Sequence, residues 1–436
     1  MFRYLYNIVF LAVFLVTCPY YICHMWRRGR LFQAFGERLG LYSSDVKQKL
    51  ASLKDPVWIH AVSVGEMMLA TVLVRELRRN RPDFPVVITT TTSTGRQVGE
   101  KLVDANLVLL YNPVDFYFFV AQAFRCIKPS ILVLMEQEIW ANYLWQAEKH
   151  NAPVWLLNAR LSDRSWNRFR RFRWLTEPVL KKLSFVAAQD RPDVRRLADA
   201  GFPAHAIFYV GSMKFDVAEL ASFDAGLSGQ IRKAANWKDD EMILLGGSTH
   251  PGEERVLLEI FSDLKKQYPG LRLLLAPRHV ERTRSVAQLC AECGFLAVRR
   301  SRLEPEKPPA APIDVLLLDT TGELRSIYDL GTINFIGKSL VGKGGQNFIE
   351  AARAGRPVVV GPNMQNFSRL AEYFVRENAL IQVKDRGELA NIFTILLADA
   401  AKRRMAGQKA QDLFRENLGS GARSAEMILQ YLASRA

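Results

Sequence analysis

Cysteine and histidine are scarce in this sequence, with five and six among 436 residues. A disulfide framework needs regularly spaced cysteine pairs, and only Cys290 and Cys293 have a suggestive spacing. They fall in a helical pattern, so we interpret them as core residues. Because no histidines are paired at ligand spacing and no Asp-x-Asp motif lies between apolar strands, the sequence predicts neither a metal site nor a cofactor.

Acidic residues are also fewer than basic ones, since the chain has 44 Asp and Glu and 59 Lys and Arg, which gives a net charge of +15. This excess fits a partner that carries phosphates, either a nucleic acid or an anionic membrane surface. The hydrophobic fraction of 49% over this length is enough for two domains, each with its own core.

Long apolar runs are absent with one exception, residues 5–23 (LYNIVFLAVFLVTCPYYIC), which contain no charge. At the helical rise this run reaches most of the way across a hydrocarbon core of roughly 30 Å. We interpret it as a membrane anchor, with a cleaved secretory signal or a helix that only dips into the membrane as alternatives. Arg27, Arg28 and Arg30 outweigh Arg3, which predicts that the rest of the chain is cytoplasmic.

After this segment, short apolar runs alternate with amphipathic stretches, first in one series and then in a second. This alternation predicts an α/β fold with two Rossmann-like domains, each a parallel sheet with helices on both faces, that face each other across a central cleft. The predicted boundaries are 1–26 for the anchor and its basic flank, 27–210 for the N-terminal domain, 211–235 for a linker, 236–410 for the C-terminal domain, and 411–436 for a helix whose return to the N-terminal domain is left open.

Small polar clusters follow most of the predicted strands, where ligands of open parallel sheets bind. In HAVSVGE, residues 60–66, a lone acid follows a buried run with no basic neighbour. Glu66 has two interpretations here, a cap at the positive end of a helix or a proton acceptor. For His60, His250 and His279, which fall on separate predicted loops, a structural role is favoured, and His279 is the one expected near phosphate.

The segment VGKGGQNFIEAARAGRPVVVGP, residues 341–362, runs through three glycines into a helix predicted to begin near Asn347. Bare N–H groups in front of a helix suit a phosphate, although a plain turn explains the glycines equally well. Glu350, one turn further on, has the acceptors to bind two ribose hydroxyls.

Arginine alternates with aromatic residues in two segments, 27–40 and 164–175. This pattern is typical of an interfacial helix, while stacking on nucleic acid and a solvated charged face are the alternatives. Because the predicted anchor is nearby, we favour contact with membrane lipid and no nucleic-acid partner.

Several motifs, in order and spacing, resemble those of the 3-deoxy-D-manno-octulosonic acid (Kdo) transferases of lipopolysaccharide synthesis. The resemblance runs from the anchor nearly to the C-terminus. It is carried by HAVSVGE, MEQEIW, LNARLSDRS, VGSMKFD, GSTHPGEE, APRHVER, DTTGEL and GGQNFIEAARAGRPVVVGPNMQNF.

The resemblance implies a GT-B glycosyltransferase, anchored at the cytoplasmic face of the inner membrane, that moves Kdo from CMP-Kdo to a lipid A precursor, lipid IVA. By motif, Glu66 matches the proton acceptor, while Glu136 and Lys214 match positions that stabilise the transition state. No metal is implied. The implied CMP-binding set comprises Pro277, Arg278, Thr321, Gly322, Glu323, Asn347, Phe348, Ile349 and Glu350.

The chain departs from the family pattern at several positions. Gln346 and Phe348 stand where GGHNPLE has histidine and proline, and Thr321 replaces the more usual methionine. In MEQEIWAN, Gln137 and Ala141 replace threonine and proline. Because an amide cannot become cationic, weaker charge compensation is expected at the glycine-rich motif. Two alternatives stay open: another membrane-associated GT-B transferase with a different sugar or acceptor, and a non-catalytic, membrane-tethered protein that binds anionic ligands.

Overall fold

The computed structural model describes residues 2–27, 34–220, 224 and 226–435, and the side chains of these except at 2, 18 and 20–27. The predicted basic flank with Arg28 and Arg30 lies outside this range. The chain divides into two compact units. Unit 1 comprises Met1–Val217 and Leu418–Ala436, and unit 2 comprises Ala218–Asn417.

Unit 1 contains a seven-stranded sheet in the order β3-β2-β1-β4-β5-β6-β7, in which every neighbouring pair is parallel. Apolar residues dominate these strands because helices cover both faces of the sheet. The strands are β1 (Val57–His60), β2 (Val86–Thr90), β3 (Leu107–Tyr111), β4 (Ile131–Met135), β5 (Val154–Ala159), β6 (Leu183–Ala188) and β7 (Ile207–Tyr209).

The helices of this part of the chain follow the strands, as the alternating pattern predicts. Polar side chains cap several of them, for example Ser63 before α3 and Asp190 before α9. The helices are α1 (Phe2–Arg27), α2 (Ser44–Ser52), α3 (Val64–Leu77), α4 (Ser93–Gly99), α5 (Tyr117–Ile127), α6 (Ala141–Lys149), α7 (Asp163–Arg171), α8 (Arg173–Leu180), α9 (Arg191–Asp199) and α10 (Lys214–Leu220).

Unit 2 contains a second parallel sheet of seven strands, in the order β10-β11-β9-β8-β12-β13-β14. Its strands are β8 (Ile243–Thr249), β9 (Arg272–Pro277), β10 (Ala297–Arg299), β11 (Val315–Leu317), β12 (Ile333–Ile336), β13 (Val358–Val360) and β14 (Ile381–Gln382). Its helices, with the last one of the chain, are α11 (Leu227–Ala234), α12 (Glu253–Gln267), α13 (Thr283–Glu292), α14 (Ile349–Arg353), α15 (Ser368–Arg376), α16 (Arg386–Ala398), α17 (Ala400–Glu416) and α18 (Ser420–Ala433).

The prediction of two Rossmann-like α/β domains is therefore confirmed. The segment predicted as a linker, 211–235, contains α10 and α11. Since all strands of a sheet are parallel, their carboxyl ends lie at one edge, and the register places His60 beside Thr89 and Leu134. This edge is where the polar clusters of each unit collect.

Helix α18 belongs to unit 1, where it packs on α3. Asp216 fixes its start, because the carboxylate accepts the backbone N–H groups of Gly419 at 2.6 Å and Gly421 at 3.0 Å. Arg423 donates to the carbonyl of Val210 at 2.8 Å. The end of the chain is thus tied by hydrogen bonds to the segment that leaves β7.

Helix α1 has one side on unit 1 and another in solvent. The Tyr6 hydroxyl donates to Asp115 at 2.6 Å, and Phe10 packs edge-on against Phe116, with ring centroids 5.3 Å apart. Tyr4 and Val16, by contrast, are 78% and 81% exposed. No helix in the described part of the chain has the length and apolar character needed to cross a membrane.

Close helix packing in unit 2 gives a test of the fold. Gly407 of α17 lies against the backbone at Gly355, and a Cβ at Gly407 would collide with the Gly355 carbonyl oxygen. Because backbone cannot yield as a side chain can, we expect Gly407→Ala to lower the free energy of unfolding by about 1–3 kcal/mol in urea titrations. Gly229→Ala in α11, with open space around it, is the control and should raise it by up to about 1 kcal/mol. Equal stability of Gly407→Ala and the parent would contradict this packing.

Candidate active site

Glu66 lies in the first turn of α3, directly beyond β1. Its carboxylate accepts hydrogen bonds from the backbone N–H of Val62 at 2.8 Å and the hydroxyl of Ser63 at 2.9 Å, while Ser63 accepts from the Glu66 N–H. This is a variant of the capping box, in which the glutamate reaches back to the N–H of Val62 and to the hydroxyl, not the N–H, of the N-cap Ser63. The prediction that Glu66 caps the start of a helix is therefore confirmed. Its second predicted role, as a proton acceptor, is compatible with the cap, because the same contacts fix the carboxylate in place.

The pKa of Glu66 is raised to about 7, chiefly by burial and in smaller part by the negative charges of Glu138 and Glu136. Hydrogen bonds from Val62 and Ser63 act in the opposite direction. Burial also raises the pKa of Glu138, whose carboxylate accepts the Trp140 indole N–H at 3.0 Å. A carboxylate whose pKa is near neutrality exchanges protons readily, which is what a general base requires.

Glu136 and Lys214 form an ion pair at the carboxyl end of β4. The Lys214 Nζ lies 3.4 Å from Glu136 Oε1, and the Nε of Arg160 lies 3.9 Å from Glu136 Oε2. Burial lowers the pKa of Lys214, and the charge of Glu136 partly opposes that shift. The structure thus brings together two of the predicted site residues and adds Arg160, to which the sequence assigned no role.

Asn158 connects this pair to the start of α10. Its Nδ2 donates to Glu136 at 3.3 Å, and its Oδ1 accepts the backbone N–H of Met213 at 3.0 Å. Both Asn158 (φ 57°) and Glu136 (φ 55°) have left-handed backbones, a conformation that is costly for glutamate and tolerated by asparagine. Asparagine inside a buried strand was the signal in the sequence that could have identified this residue.

In unit 2, Glu350 lies among three arginines. Burial raises its pKa, and the charges of Arg325, Arg278 and Arg353 lower it, in that order of size. Arg353 also pairs with Glu219 at 2.8 Å, whereas Arg278 and Arg325 form no salt bridge with any carboxylate among the residues the structure describes. Arg325 was missed in the sequence because a single arginine in a loop has no distinguishing pattern.

The glycine-rich segment differs from its prediction. Helix α14 begins at Ile349, two residues after Asn347, and has only five residues. The Asn347 side chain accepts the Ile349 N–H at 3.1 Å. The N–H of Gly344 donates to the Gln365 side chain, and that of Gly345 to the Lys338 carbonyl. The expected array of bare N–H groups facing a phosphate is therefore largely used within the protein, because the turn closes on itself.

Three residues of the implied nucleotide-binding set are buried, namely Pro277 at the end of β9, Phe348 and Ile349. Phe348 is fully buried against Phe367 and Phe374, with ring centroids 6.2 Å and 5.2 Å away, and Ile349 is also fully buried. These side chains belong to the core of unit 2, so only their backbone atoms are available to a ligand. The phenylalanine that replaces the family's proline fills an aromatic cluster.

The remaining members of the set lie in the loops after β9 and β11. Pro277 ends β9, and Arg278 is exposed next to it. Glu323 accepts from the Thr320 hydroxyl and pairs with Arg300 at 3.3 Å. Thr321 and Gly322 are exposed. These loops leave neighbouring strands of one sheet, so they lie at the same edge as the loops that follow β8 and β12.

The basic segment at residues 164–175 forms parts of α7 and α8, which are separated at Phe172. Trp166 is sandwiched between the guanidinium groups of Arg170 and Arg196, at 4.6 Å and 4.9 Å from its ring centroid. Trp174 is 76% exposed. This basic segment therefore combines several arginines with one exposed aromatic ring.

His60 is structural. Its ring is fully buried, stacks on Tyr143 and lies 3.1 Å from the Thr89 hydroxyl, and burial lowers its pKa to about 3. Among the described residues, no three His, Cys, Asp or Glu side chains are grouped so that they could hold a metal ion.

With this geometry established, comparison with known proteins identifies relatives of the whole chain. The family described as 3-Deoxy-D-manno-octulosonic-acid transferase (kdotransferase) matches residues 33–217. A 3-deoxy-D-manno-octulosonic acid transferase of Haemophilus influenzae is 31% identical over 428 residues, which cover 97% of each chain. The enzyme of the same description from Bordetella pertussis is 32% identical and covers 94% of this chain and 95% of its own.

Among solved structures, the UDP-GlcNAc 2-epimerase of Neisseria meningitidis bound to UDP-GlcNAc has a TM-score of 0.60 at 12% identity, and covers 87% of this chain and all of its own. At that identity the likeness shows the fold alone. The two full-length relatives show more than the fold, because each is over 30% identical along nearly the entire chain. On these matches the chain is a glycosyltransferase and belongs to the 3-deoxy-D-manno-octulosonic acid transferase family.

Proposed function

We propose that this enzyme moves Kdo from CMP-Kdo to a lipid A precursor, lipid IVA, in lipopolysaccharide biosynthesis, with inversion at the anomeric carbon. The relatives from Haemophilus influenzae and Bordetella pertussis, both described as 3-deoxy-D-manno-octulosonic acid transferases, support the sugar. The nucleotide, the acceptor and the residue roles are inferred from the chemistry that the described side chains can perform.

The observation that carries the proposal is the state of the Glu66 carboxylate. Its pKa of about 7 means that a substantial fraction is ionised at neutral pH and can accept a proton. Val62 and Ser63 hold it by two hydrogen bonds, and no cation neutralises it by an ion pair in the described part of the chain.

In the proposed step, Glu66 takes the proton from an acceptor hydroxyl as that oxygen attacks the anomeric carbon of Kdo. The bond from this carbon to the CMP phosphate oxygen breaks, and CMP leaves with the electron pair. One displacement inverts the centre and needs no covalent glycosyl-enzyme. Glu136 and Lys214, paired 3.4 Å apart, are proposed to stabilise the charges that develop on the reacting groups.

The donor is proposed to bind unit 2. Glu350 has the acceptors for ribose hydroxyls, and Arg278 and Arg325, whose charges both act on Glu350, supply cations for the anionic groups of the nucleotide sugar. The exposed Thr321 and Gly322 and the backbone at Asn347 to Ile349 complete the proposed CMP-binding set. Phe348 and Ile349 contribute through main-chain atoms, because their side chains are buried. The proposal requires no metal and no cofactor.

The acceptor is proposed to approach unit 1 from the cytoplasmic face of the inner membrane. One side of α1 exposes apolar side chains, among them Ile8 at 65% and Leu15 at 63%, while Tyr6 and Phe10 pack on the unit. We propose that α1 lies along the membrane surface and that the arginines of α7 contact lipid phosphates.

A transfer assay tests the function as a whole. We expect the purified full-length protein, supplied with CMP-Kdo and lipid IVA, to release CMP and to produce lipids heavier by whole Kdo units. Mass spectrometry of the lipid fraction reads the donor, the acceptor and the number of sugars together. Replacing CMP-Kdo by a UDP-sugar is the control and should give no product; transfer from the UDP-sugar alone would refute the proposal.

Replacing the proposed base should remove the chemistry and keep binding. Glu66→Gln preserves an acceptor for the Val62 N–H but cannot take up a proton, so we expect kcat to fall by about 10²–10⁴-fold. The dissociation constant for CMP, measured by calorimetry, should stay unchanged. Glu76→Gln, at the other end of α3, serves as the matched control. A kcat of Glu66→Gln within tenfold of the parent would exclude Glu66 as the base.

The pH dependence follows from the raised pKa of Glu66. Protonation below about pH 7 disables the base, so kcat/KM should rise with pH through this value and level off above about pH 8. Since the charge of Glu138 contributes to the raised pKa, Glu138→Gln should move the rising limb toward lower pH. A rate independent of pH between about pH 6 and pH 8 would show that another group accepts the proton.

A further inference from the structure

We propose that His250, His279 and Lys338 of unit 2 form a binding site for an oxyanion, either a carboxylate or a phosphate. None of the three belongs to the nucleotide-binding set implied by the family motifs. The identification of this oxyanion as part of the sugar donor rests on the proposed function. The binding of an oxyanion at this site does not depend on that function.

The fold brings these residues to one place. In the sheet of unit 2, β8 lies between β9 and β12, and all three strands are parallel. His250 follows the end of β8 directly, while His279 and Lys338 each come two residues after the ends of β9 and β12. The three side chains therefore leave adjacent strands at the edge where parallel sheets bind ligands.

The side chains are arranged around His250. The rings of His250 and His279 meet edge to face, with centroids 6.0 Å apart and planes at 78°. The Gln346 amide nitrogen lies 3.1 Å from His250 Nε2. Because the amide nitrogen can only donate, Nε2 accepts and the proton of the neutral ring is assigned to Nδ1. Gln346 thus fixes the tautomer of His250, a task distinct from charge compensation.

The charges that face His250 come from three segments. Burial lowers the pKa of His250, and Lys338, His279 and Arg282 lower it further, while Glu253 raises it. Arg282 is engaged by the neighbouring Glu254 at 2.8 Å, whereas Lys338 forms no ion pair with any carboxylate in the described residues. A bound anion favours the imidazolium form, so its binding should draw a proton onto Nε2 of His250, with the Gln346 amide turned to accept it, and should tighten as pH falls.

Glu253 does not neutralise the site, because its oxygens are already engaged. It is fully buried and accepts four backbone N–H groups, from His250 at 2.9 Å, Lys338 at 2.7 Å, and Ser339 and Leu340 at 3.0 Å each. These bonds tie the loop after β8 to the loop after β12. The two loops that carry His250 and Lys338 are therefore held in a fixed relation.

The backbone at Lys338 is a second sign of function. Its φ of 57° lies in the left-handed region, which costs a residue with a Cβ about 1 kcal/mol or more. The preceding Gly337 has no room for a Cβ, which would come within 2.8 Å of a Glu253 oxygen. A lysine kept in a conformation that glycine would adopt more easily indicates that its side chain is used.

The ligand should carry one compact negative group. An ammonium and two imidazoles, carried by the loops after three adjacent strands, can all donate hydrogen bonds to a tetrahedral or planar oxyanion. The donor of the proposed reaction has two such groups, the phosphate that joins the nucleotide to the sugar and the carboxylate of the sugar acid. Both fit the chemistry, so the experiment must separate them.

The first measurement uses inorganic phosphate and the full-length protein. Imidazole NMR signals are followed as phosphate is added; we expect the His250 signal to shift and its apparent pKa to rise. Lys338→Met should require at least about tenfold more phosphate for the same shift. Lys402→Met, which removes an exposed lysine of α17, is the matched control and should behave as the parent. Loss of the response in both variants, or a His250 signal indifferent to phosphate, would overturn the site.

The second measurement identifies the source of the anion. If Lys338→Met weakens CMP binding by about tenfold and leaves cytidine binding unchanged, the site holds the nucleotide phosphate. If CMP binding is retained while KM for CMP-Kdo rises by a similar factor, it holds the sugar carboxylate. Both results support the site. If neither changes, the donor is not its ligand. A phosphate response in a protein that transfers no Kdo would refute the proposed function and keep the site.

Discussion

The need to satisfy backbone N–H groups where parallel strands end governs both units. A buried N–H without an acceptor is costly, and strands of a parallel sheet deliver such groups to one edge. This chain meets the need with carboxylates. Glu66 accepts from Val62, and Glu253 accepts from four residues of two loops. The acids that stabilise the loops are therefore placed at the edge where ligands bind.

This constraint explains how one residue can serve structure and chemistry together. A carboxylate drawn into a helix start loses water, and the loss raises its pKa unless charges compensate. At Glu66 two hydrogen bonds compensate only in part, so the pKa stays near neutrality. Glu254, in the first turn of α12, is instead held in an ion pair, because the Arg282 guanidinium donates two hydrogen bonds to its carboxylate. The surroundings, not the residue type, distinguish a reactive acid from a structural one.

The alternation of apolar and amphipathic segments was sufficient to predict two α/β units, because the longer strands, such as β8 and β9, show their burial in the sequence. The position of Glu66 after β1 followed from the same pattern. The contacts of Asn158 and of Glu253 could not be predicted, since most of them involve residues distant in the chain. The burial of Phe348 could not be predicted for the same reason. Its position in the motif indicated contact with a ligand, whereas its aromatic neighbours place its side chain in the core. Polar contacts of α1 likewise involve Asp115, more than a hundred residues away.

The return of α18 to unit 1 has a consequence for the order in which the protein is made. Asp216 and the start of α18 are separated by the whole of unit 2 in sequence, although they share hydrogen bonds. During translation, unit 2 emerges complete while unit 1 still lacks one helix of its layer. Unit 1 therefore stays incomplete on the ribosome until α18 has been made. Unit 2 is synthesised before α18, so it can reach its native state first.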